Sequence, residues 1–403
     1  MKQKASNAIV VRGNKCLPYH RVPRYLGGVR RFIHATLLIV GTSIGAGFLA
    51  LPLSGCNLDF RLLLTLAALC VFIAYRSSMM AVELNELYKS PASMDVICRS
   101  YTGKRLFVLT LTSIYLLSFS LLTGYFSCFS DTFSRFCSFR YETIVCLSAC
   151  GLFGILSLNA KRFADLNSSF VCVLLAAILM AIIYVGAAYP QVKVQTETRW
   201  RELPGFLPII FTSFIMQTIC PRIYGDLAGD RKKISRALIL GISVPGIIYM
   251  LWVVCVLKNI TAHDTEFLQR LRAHEISVGE LIGFLCDTSP YPFIGTLLKI
   301  LTLLSIMTSA IGFAIGLLQS LQVLLPKTAA RFIVCLVPAV LNFISQDMFV
   351  RVFAFSGAIA TVFMIFVPYY LIKKQTGKGS FGGMVCCVFG IIIVACELGQ
   401  AFL

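Results

Sequence analysis

Long apolar stretches alternate with short charged connections along almost the whole sequence. A helix needs about 20 apolar residues to cross a bilayer, so a stretch of that length with few charges predicts a transmembrane helix. Eleven such helices are predicted, at residues 33–55, 61–87, 106–130, 143–160, 166–188, 204–225, 234–257, 292–325, 330–345, 349–373 and 382–402. The pattern therefore predicts an all-α polytopic membrane protein.

One long polar connection, residues 258–291, interrupts this pattern. It contains two amphipathic stretches, 264–273 and 276–286, and each is too short to span a bilayer. We expect a pair of helices that forms a lid on the outer side of the membrane, with a disordered loop as the alternative.

The composition excludes several other classes of protein. The 403 residues are 58% hydrophobic and 13% charged, whereas soluble domains are about half apolar and about a quarter charged. A soluble enzyme, a nucleic-acid-binding protein and a disordered chain do not fit these values. The sixteen cysteines lie mostly in apolar stretches, which is typical of small buried hydrophobic residues. We expect no metal and no cofactor.

The positive charge carries information about orientation. The net charge is +18, and Lys and Arg are concentrated in the tail at residues 1–32 and in alternate loops after it. Cytoplasmic loops of membrane proteins carry such an excess, so we expect a cytoplasmic amino terminus and, with eleven spans, an outer carboxyl terminus. No cleavage site follows the tail, which argues against a cleaved signal peptide. Attraction to anionic lipid headgroups is a second explanation of its charge.

The first predicted span contains a run of small residues where a helix can open. Residues 41–47 read GTSIGAG, and Pro52 follows. An open helix at membrane depth is tolerated only against protein or a water-filled cavity. Its free carbonyls would suit a cation or an ammonium, and the amides of its next segment would suit a carboxylate. The alternative is that Gly41 and Gly45 only allow another helix to approach closely.

The sixth predicted span has a corresponding interruption. Residues 211–218 read FTSFIMQT, and Pro221 then removes a backbone donor. Broken first and sixth spans are what an inverted repeat of five plus five helices requires, because the two broken helices then face each other at the midplane. The predicted organisation is a first repeat at 33–190, a second at 191–375 and a final helix in 376–403.

These motifs resemble those of a known family. The similar segments are residues 41–47 with the Leu-Pro-Leu at 51–53, residues 210–214 with Pro221, and the later runs 231–233 and 242–245. They look like the corresponding segments of the bacterial hydroxy and aromatic amino acid permeases. The resemblance covers roughly 33–402 and is most specific in the first and sixth spans.

The resemblance implies a fold and an activity. The fold would be LeuT-like, with a five-plus-five inverted repeat and an eleventh helix. The protein would be a secondary active transporter that imports tyrosine or tryptophan across the bacterial inner membrane by alternating access, as a proton symporter. Coupling to sodium and a non-aromatic amino acid substrate stay open as alternatives.

One departure from the family pattern concerns the substrate. After Phe214 the family usually continues Gly-Phe-His-Gly, whereas residues 215–218 here read IMQT. The β-branched Ile215 resists the irregular backbone that glycine permits. Gln217 cannot take up a proton where histidine could. We expect these changes to affect the shape of the pocket, the substrate and the coupling ion.

Candidate functional residues follow from the two interruptions and from the third and eighth spans, which flank the site in such a fold. The substrate-binding candidates are Thr42, Ser43, Gly45, Ala46, Gly47, Thr212, Ser213, Phe214, Gln217, Tyr115 and Phe119, with Tyr125 also placed toward the pocket. The candidates for the coupling ion are Ser305, Thr308, Ser309 and Glu83. The alternative for the hydroxyls is hydrogen bonding between helices, and for Glu83 a wetted position at the interface.

Other functions are less consistent with the sequence. A channel predicts rings of repeated pore-lining polar residues, and a receptor predicts an appended signalling domain; neither is visible. An enzyme needs a catalytic constellation, and the four histidines, at positions 20, 34, 263 and 274, all lie away from the centres of the predicted spans. The expected partners are an amino acid, a coupling ion and the lipid bilayer, without nucleic acid.

Overall fold

The computed structural model describes residues 28–45, 47–137, 139–158, 198–289, 292–322, 325–346 and 349–401. The regular elements in these ranges are helices. The predicted fifth span at 166–188 and the candidate Ala46 lie outside the described residues.

The helices follow the predicted spans closely. In chain order they are α1 (Gly28–Ser43), α2 (Gly47–Gly55), α3 (Phe60–Tyr88), α4 (Met94–Tyr101), α5 (Lys104–Phe136), α6 (Tyr141–Ser157), α7 (Leu203–Thr212), α8 (Cys220–Asp226), α9 (Arg231–His263), α10 (Thr265–Arg272), α11 (Val278–Asp287), α12 (Pro292–Leu321), α13 (Lys327–Ile344), α14 (Phe349–Thr361), α15 (Val367–Thr376) and α16 (Phe381–Ala401). A π-helical turn, Val362–Phe366, joins α14 to α15.

Some of these helices can cross a membrane alone, and others can do so as consecutive pairs. Within the described residues, eight helical segments are long and apolar enough to do so, and the bent pair α1 and α2 makes a ninth when it is counted as one span. The helix α6 is apolar and shorter, with 17 residues. Several helices extend beyond the apolar cores from which they are predicted; α5 continues to Phe136 and α9 to His263. Polar residues at such ends lie in helical turns beyond the apolar segment, which a prediction based on apolar length omits.

Side-chain caps fix the starts of α9, α10 and α11. The carboxylates of Asp230 and Asp264 accept hydrogen bonds from backbone amides in the first turns of α9 and α10, and Ser277 and Glu280 form a capping box at α11. Hydrogen bonds from the side chain and the amide of Lys233 hold the pKa of Asp230 below its usual range. The two amphipathic stretches of the long polar connection are therefore the helices α10 and α11.

The interrupted helices lie at the centre of the bundle. The pair α1 and α2 packs against α9, and α2 also packs against α7. The long helix α5 packs against α12 and α14, and α14 packs against α7. This arrangement surrounds both interruptions with protein, which is the setting in which irregular backbone is tolerated at membrane depth.

Candidate functional site

The first span is broken where the glycine run predicts. The helix α1 ends at Ser43, the chain resumes as α2 at Gly47, and the two axes differ by 45°. The Ile44 amide donates to the Val40 carbonyl at 2.8 Å, and the Gly45 amide donates to the Ser43 carbonyl at 2.9 Å. The last carbonyls of α1 and the first amides of α2 are thus free of a continuous helical ladder.

The sixth span is broken as well. The helix α7 ends at Thr212, residues 213–216 form an irregular turn, and a short 3-10 helix leads into α8 at Cys220. The turn is held by the Phe214 amide, which donates to the Phe211 carbonyl at 3.0 Å, and by the Ile215 amide, which donates to the Thr212 carbonyl at 3.1 Å. Pro221 sits in the first turn of α8, where its missing amide costs no helical hydrogen bond.

The two breaks touch each other. A Cβ atom added at Gly47 would lie 2.7 Å from both Cβ and Oγ of Ser213, closer than side chains pack. The glycine is therefore required for the close approach of α2 to the sixth-span break. At Gly47 the close approach thus occurs where the first span is open.

A tyrosine of α9 joins the breaks. The Tyr249 hydroxyl donates to the Ser43 carbonyl at the end of α1 and lies 3.2 Å from the Ser213 carbonyl at the end of α7. Its ring meets the ring of Phe214 edge-on, with centroids 5.6 Å apart and an angle of 71°. One side chain thus contacts the carboxyl ends of both half-helices and the aromatic residue between α7 and α8.

None of the substrate-binding candidates predicted from the sequence lies on α9. Its face toward the breaks carries Gly246, Tyr249 and Trp252 at three-residue spacing, and the ring of Trp252 packs 5.6 Å from that of Phe48 in α2. A Cβ at Gly246 would lie 3.6 Å from the Phe214 ring. The signal in the sequence was a Pro-Gly pair in mid-span followed by a tyrosine and a tryptophan inside an apolar run.

Gln217 connects the sixth-span break to the π-helical turn. Its Nε2 donates to the Met364 carbonyl at 2.8 Å, while its Oε1 is buried and has no hydrogen-bond partner among the described residues. Thr212 reaches the same span, because its hydroxyl donates to the Phe353 carbonyl at 2.9 Å. The span formed by α14, the π-helical turn and α15 thus packs beside the sixth-span break. It hydrogen-bonds Nε2 of Gln217 but not Oε1.

The eighth span approaches the first break through Ser309. A Cβ at Gly45 would lie 2.6 Å from the Ser309 hydroxyl and 4.0 Å from the Tyr125 hydroxyl. Ser305, one turn away on α12, is fully buried, and its hydroxyl has no hydrogen-bond partner among the described residues. Thr308 donates instead to the Ser305 carbonyl at 3.1 Å. Of the three hydroxyl candidates on α12, Ser309 is therefore the one in direct contact with the first break.

The aromatic candidates on α5 differ in their distance from the breaks. Tyr115 donates to the Ser320 carbonyl near the end of α12, at 3.3 Å. It lies ten residues before Tyr125, which corresponds to about 15 Å along a helix. Phe119 is partly buried against the core. Of the three aromatic candidates, Tyr125 is the one that the structure brings to Gly45.

The remaining candidates lie within or beside this arrangement. Thr42 donates to the Leu38 carbonyl of its own helix at 2.8 Å. The Ser43 hydroxyl is buried and unpartnered within the described part of the chain. Glu83 is half-buried near the end of α3. Its neighbour Glu86 accepts a hydrogen bond from Arg231 at 3.0 Å, whereas no described residue forms an ion pair with Glu83.

Several known transport proteins are similar to this chain in sequence. The tyrosine-specific transport system 1 of Haemophilus influenzae is 24% identical over 91% of this chain and 96% of that protein. Glutamine transporter 2 of Aliivibrio fischeri is 24% identical over 85% and 89%. The tryptophan-specific transport protein of H. influenzae is 23% identical over 94% and 96%. These proteins span nearly the same length as this chain.

Solved structures share the fold. A manganese transporter of Eremococcus coleocola superposes with a TM-score of 0.59 at 15% identity, covering 94% of this chain and 88% of that one. The transporter Mhp1 in its inward-facing conformation superposes with a TM-score of 0.56 at 10% identity, covering 92% and 89%. Both are transporters of the LeuT-like fold, so the predicted fold class is confirmed.

The family follows from the sequence match. Residues 29–396, nearly all of the chain, match the sequence model of the tryptophan/tyrosine permease family. The resemblance noted from the motifs is thereby confirmed, and the family is one of transporters and not of enzymes. The chain belongs to the tryptophan/tyrosine permease family.

Proposed function

We propose that this protein imports an aromatic amino acid, tyrosine or tryptophan, and that the amino acid binds between the two broken spans. The observation that carries the proposal is the contact between the breaks: Gly47 meets Ser213, and Tyr249 bonds to a carbonyl from each half-helix. In alternating access, the helices would then rearrange around this contact while the binding site stays at the same place.

The breaks offer opposite partial charges to the two ends of an amino acid. The carboxyl ends of α1 and α7 present the carbonyls of Ser43 and Ser213, which suit an ammonium group. The first amides of α2, beginning at Gly47, suit a carboxylate. Both sets lie in a buried region, where such interactions are stronger than in water.

The side chain of the substrate would lie among aromatic residues and Gln217. Phe214, Tyr125 and Trp252 supply ring surface near the breaks. The free Oε1 of Gln217 is a hydrogen-bond acceptor without a donor in the described residues. A tyrosine hydroxyl and a tryptophan indole N–H are donors, whereas phenylalanine has none. The proposal therefore includes discrimination against phenylalanine.

A second substrate class is also supported by Gln217. A glutamine side chain carries an amide that can donate to the free Oε1, and a relative at 24% identity is named as a glutamine transporter. The rings around the breaks favour the aromatic substrate because they add stacking surface. Direct competition between tyrosine, tryptophan and glutamine distinguishes the two classes.

We infer that the driving ion is a proton. Glu83 is a half-buried carboxylate within a span and has no ion-pair partner among the described residues, which makes it a candidate for proton exchange. Sodium is the alternative, and its candidates are the hydroxyls of Ser305, Thr308 and Ser309. The unpartnered Ser305 hydroxyl and the contact of Ser309 with Gly45 are the observations that support the sodium alternative.

The proposed location is the bacterial inner membrane, with the amino terminus in the cytoplasm. Arg231 at the start of α9 contacts Glu86 near the end of α3, and Lys374 near the end of α15 donates to the Tyr101 carbonyl in α4. These contacts gather the basic loops of α3–α5, α8–α9 and α15–α16 at one end of the bundle. The positive-inside rule assigns that end to the cytoplasm.

Uptake by proteoliposomes tests the proposal. The purified protein is reconstituted, and uptake of radiolabelled tyrosine, tryptophan, phenylalanine and glutamine is measured with proton and sodium gradients imposed separately. We expect a proton gradient to drive accumulation of tyrosine or tryptophan, with much less phenylalanine. Accumulation of glutamine alone would support the second class, and the absence of uptake for every amino acid would contradict the proposal.

A further inference from the structure

Tyr249 holds the two carbonyl groups that the proposed site assigns to the substrate amine. Its hydroxyl bonds to the carbonyls of Ser43 and Ser213, and its side chain is fully buried. We propose that the Tyr249 hydroxyl occupies the position that the substrate ammonium takes and that an amino acid binds by displacing it. This inference rests on the proposed function and adds the residue that selects ligands with an amino group.

The hydroxyl is a weaker partner for two carbonyls than an ammonium group. A phenol has a single hydrogen, which must be shared between the two acceptors, whereas an ammonium has three donors. Hydrogen bonds with a charged donor are also shorter and stronger than neutral ones. An entering ammonium can therefore replace Tyr249 at both carbonyls and still donate to a third acceptor.

A third acceptor belongs to one of the same residues. The Ser43 hydroxyl is buried and has no partner among the described residues, although most buried polar atoms do have one. It belongs to the residue whose carbonyl Tyr249 occupies. In the proposed exchange the ammonium donates to the carbonyls of Ser43 and Ser213 and to the Ser43 hydroxyl, whereas the single hydrogen of the phenol serves only the carbonyls.

The ring of Tyr249 links this exchange to the sixth-span break. It packs edge-on against Phe214, which lies in the irregular turn after α7 and is itself 1% exposed. A displaced hydroxyl requires the ring to shift, and the ring cannot shift without moving Phe214 in so closely packed an environment. Binding of the amine at one point is thereby transmitted to the backbone of both breaks.

The consequence is selectivity for the amino group. A ligand that has the same aromatic side chain and carboxylate but lacks the amine cannot replace the hydroxyl at the two carbonyls. Removal of the hydroxyl in Tyr249→Phe eliminates the competitor that the amine must displace. The affinity for amino acids should therefore rise, whereas the affinity for their deaminated analogues should not change.

Binding measurements on the full-length protein in lipid nanodiscs test this inference. The wild type and Tyr249→Phe are titrated with L-tyrosine and L-tryptophan and with 3-(4-hydroxyphenyl)propionate and indole-3-propionate. We expect about a threefold to tenfold lower Kd for the amino acids in Tyr249→Phe, the equivalent of one neutral hydrogen bond, and an unchanged Kd for the two acids. Tyr75→Phe is the matched control, because Tyr75 shares a hydrogen bond of 2.9 Å with Ser235, away from the breaks, and it should change neither value.

A second measurement keeps the test valid if Tyr249→Phe unfolds. Tyrosine 249 is replaced by 3-fluorotyrosine, which retains the hydroxyl, and its fluorine resonance is recorded by NMR. Saturating L-tyrosine should shift the resonance, and the deaminated acid should not. An amino acid that binds the wild type without shifting the resonance, or with an unchanged Kd in Tyr249→Phe, overturns this inference alone; a wild type that binds no amino acid contradicts the proposed function itself.

Discussion

Gly45 and Ser309 are in direct contact across the first break, since a Cβ atom on Gly45 would lie 2.6 Å from the Ser309 hydroxyl. The contact joins the open segment of the first span to α12. A side chain at Gly45 must therefore displace α12 or deform the break, and either change alters the site where the amino acid is proposed to bind.

Gly45→Val should abolish uptake and leave the protein in the membrane. The added β-branched side chain overlaps Ser309 and resists the irregular backbone of the break. Uptake in proteoliposomes and the amount of protein in the membrane fraction are measured together. Gly154→Val in α6 is the control, because a Cβ at Gly154 meets no atom within 4 Å. Normal uptake by Gly45→Val would contradict a pocket at this break.

Gly47→Ala should destabilise the protein by about 1–3 kcal/mol, the usual cost of overpacking. The added methyl group would lie 2.7 Å from Cβ and Oγ of Ser213. Combination with Ser213→Gly should recover part of the loss, because it removes both of those atoms. Thermal unfolding of the two single variants and the double variant forms a double-mutant cycle. Purely additive effects would show that the breaks are not in contact.

Gln217→Leu should reduce the preference for tyrosine over phenylalanine about tenfold or more, because it removes the free acceptor that a tyrosine hydroxyl would use. Gln217→His should alter the substrate preference or the pH dependence of uptake, since histidine titrates near neutral pH. The ratio of kcat/KM values for the two amino acids is the measurement. Gln346→His is the control at an exposed site, where the side chain bonds to Glu142 at 3.1 Å. An unchanged substrate preference and an unchanged pH dependence of uptake in both Gln217 variants would show that this residue does not line the pathway.

Glu83→Gln should lower proton-driven accumulation at least about tenfold and preserve exchange of labelled for unlabelled substrate, because exchange needs no net movement of protons. Glu86→Gln is the matched control one turn away. It removes an ion pair with Arg231, whose side chain is 57% exposed, and such pairs contribute little stability. Accumulation that survives in Glu83→Gln would favour the sodium alternative, which the imposed sodium gradient then tests.

Asp131→Ala should loosen the helix α11 from the end of α5. The Asp131 carboxylate accepts a hydrogen bond of 2.6 Å from the Gly279 amide and pairs with Arg135 at 3.3 Å. Loss of the acceptor leaves a buried amide unsatisfied, at a cost of about 1–3 kcal/mol. Hydrogen exchange in α11 should become faster, while the exposed Glu266→Ala should leave it unchanged. Equal exchange rates in both variants would mean that Asp131 does not hold this helix.

The breaks could be predicted from the sequence because their causes are local. Glycines and hydroxyls in mid-span, together with Pro221, disturb a helix wherever it packs, and the apolar lengths fix the helices to within a few residues. Tyr249 could not be found in this way, because it bonds to carbonyls that are 206 and 36 residues away in the sequence. Only the packing of α9 against α1, together with its contact at the sixth-span break, brings these groups together.

The aromatic residues of α5 illustrate a second limit. The helix carries apolar and hydroxyl residues along its length and is buried on nearly every side between residues 121 and 132, so its sequence does not mark the face that meets the first break. Tyr115 and Tyr125 are both candidates, and they lie at different positions along the helix. Tyr115 contacts Ser320, whereas Tyr125 lies beside Gly45. The partner of each hydroxyl is a property of the assembled bundle and not of the local sequence.

A cryo-EM structure of the protein saturated with L-tyrosine or L-tryptophan shows directly whether the amino acid binds between the two broken spans. We expect density for the amino acid between the two breaks, with its nitrogen within hydrogen-bonding distance of the Ser43 and Ser213 carbonyls and its carboxylate at the start of α2. Density at another place in the bundle, or first and sixth spans that continue as unbroken helices around the bound ligand, would contradict this expectation.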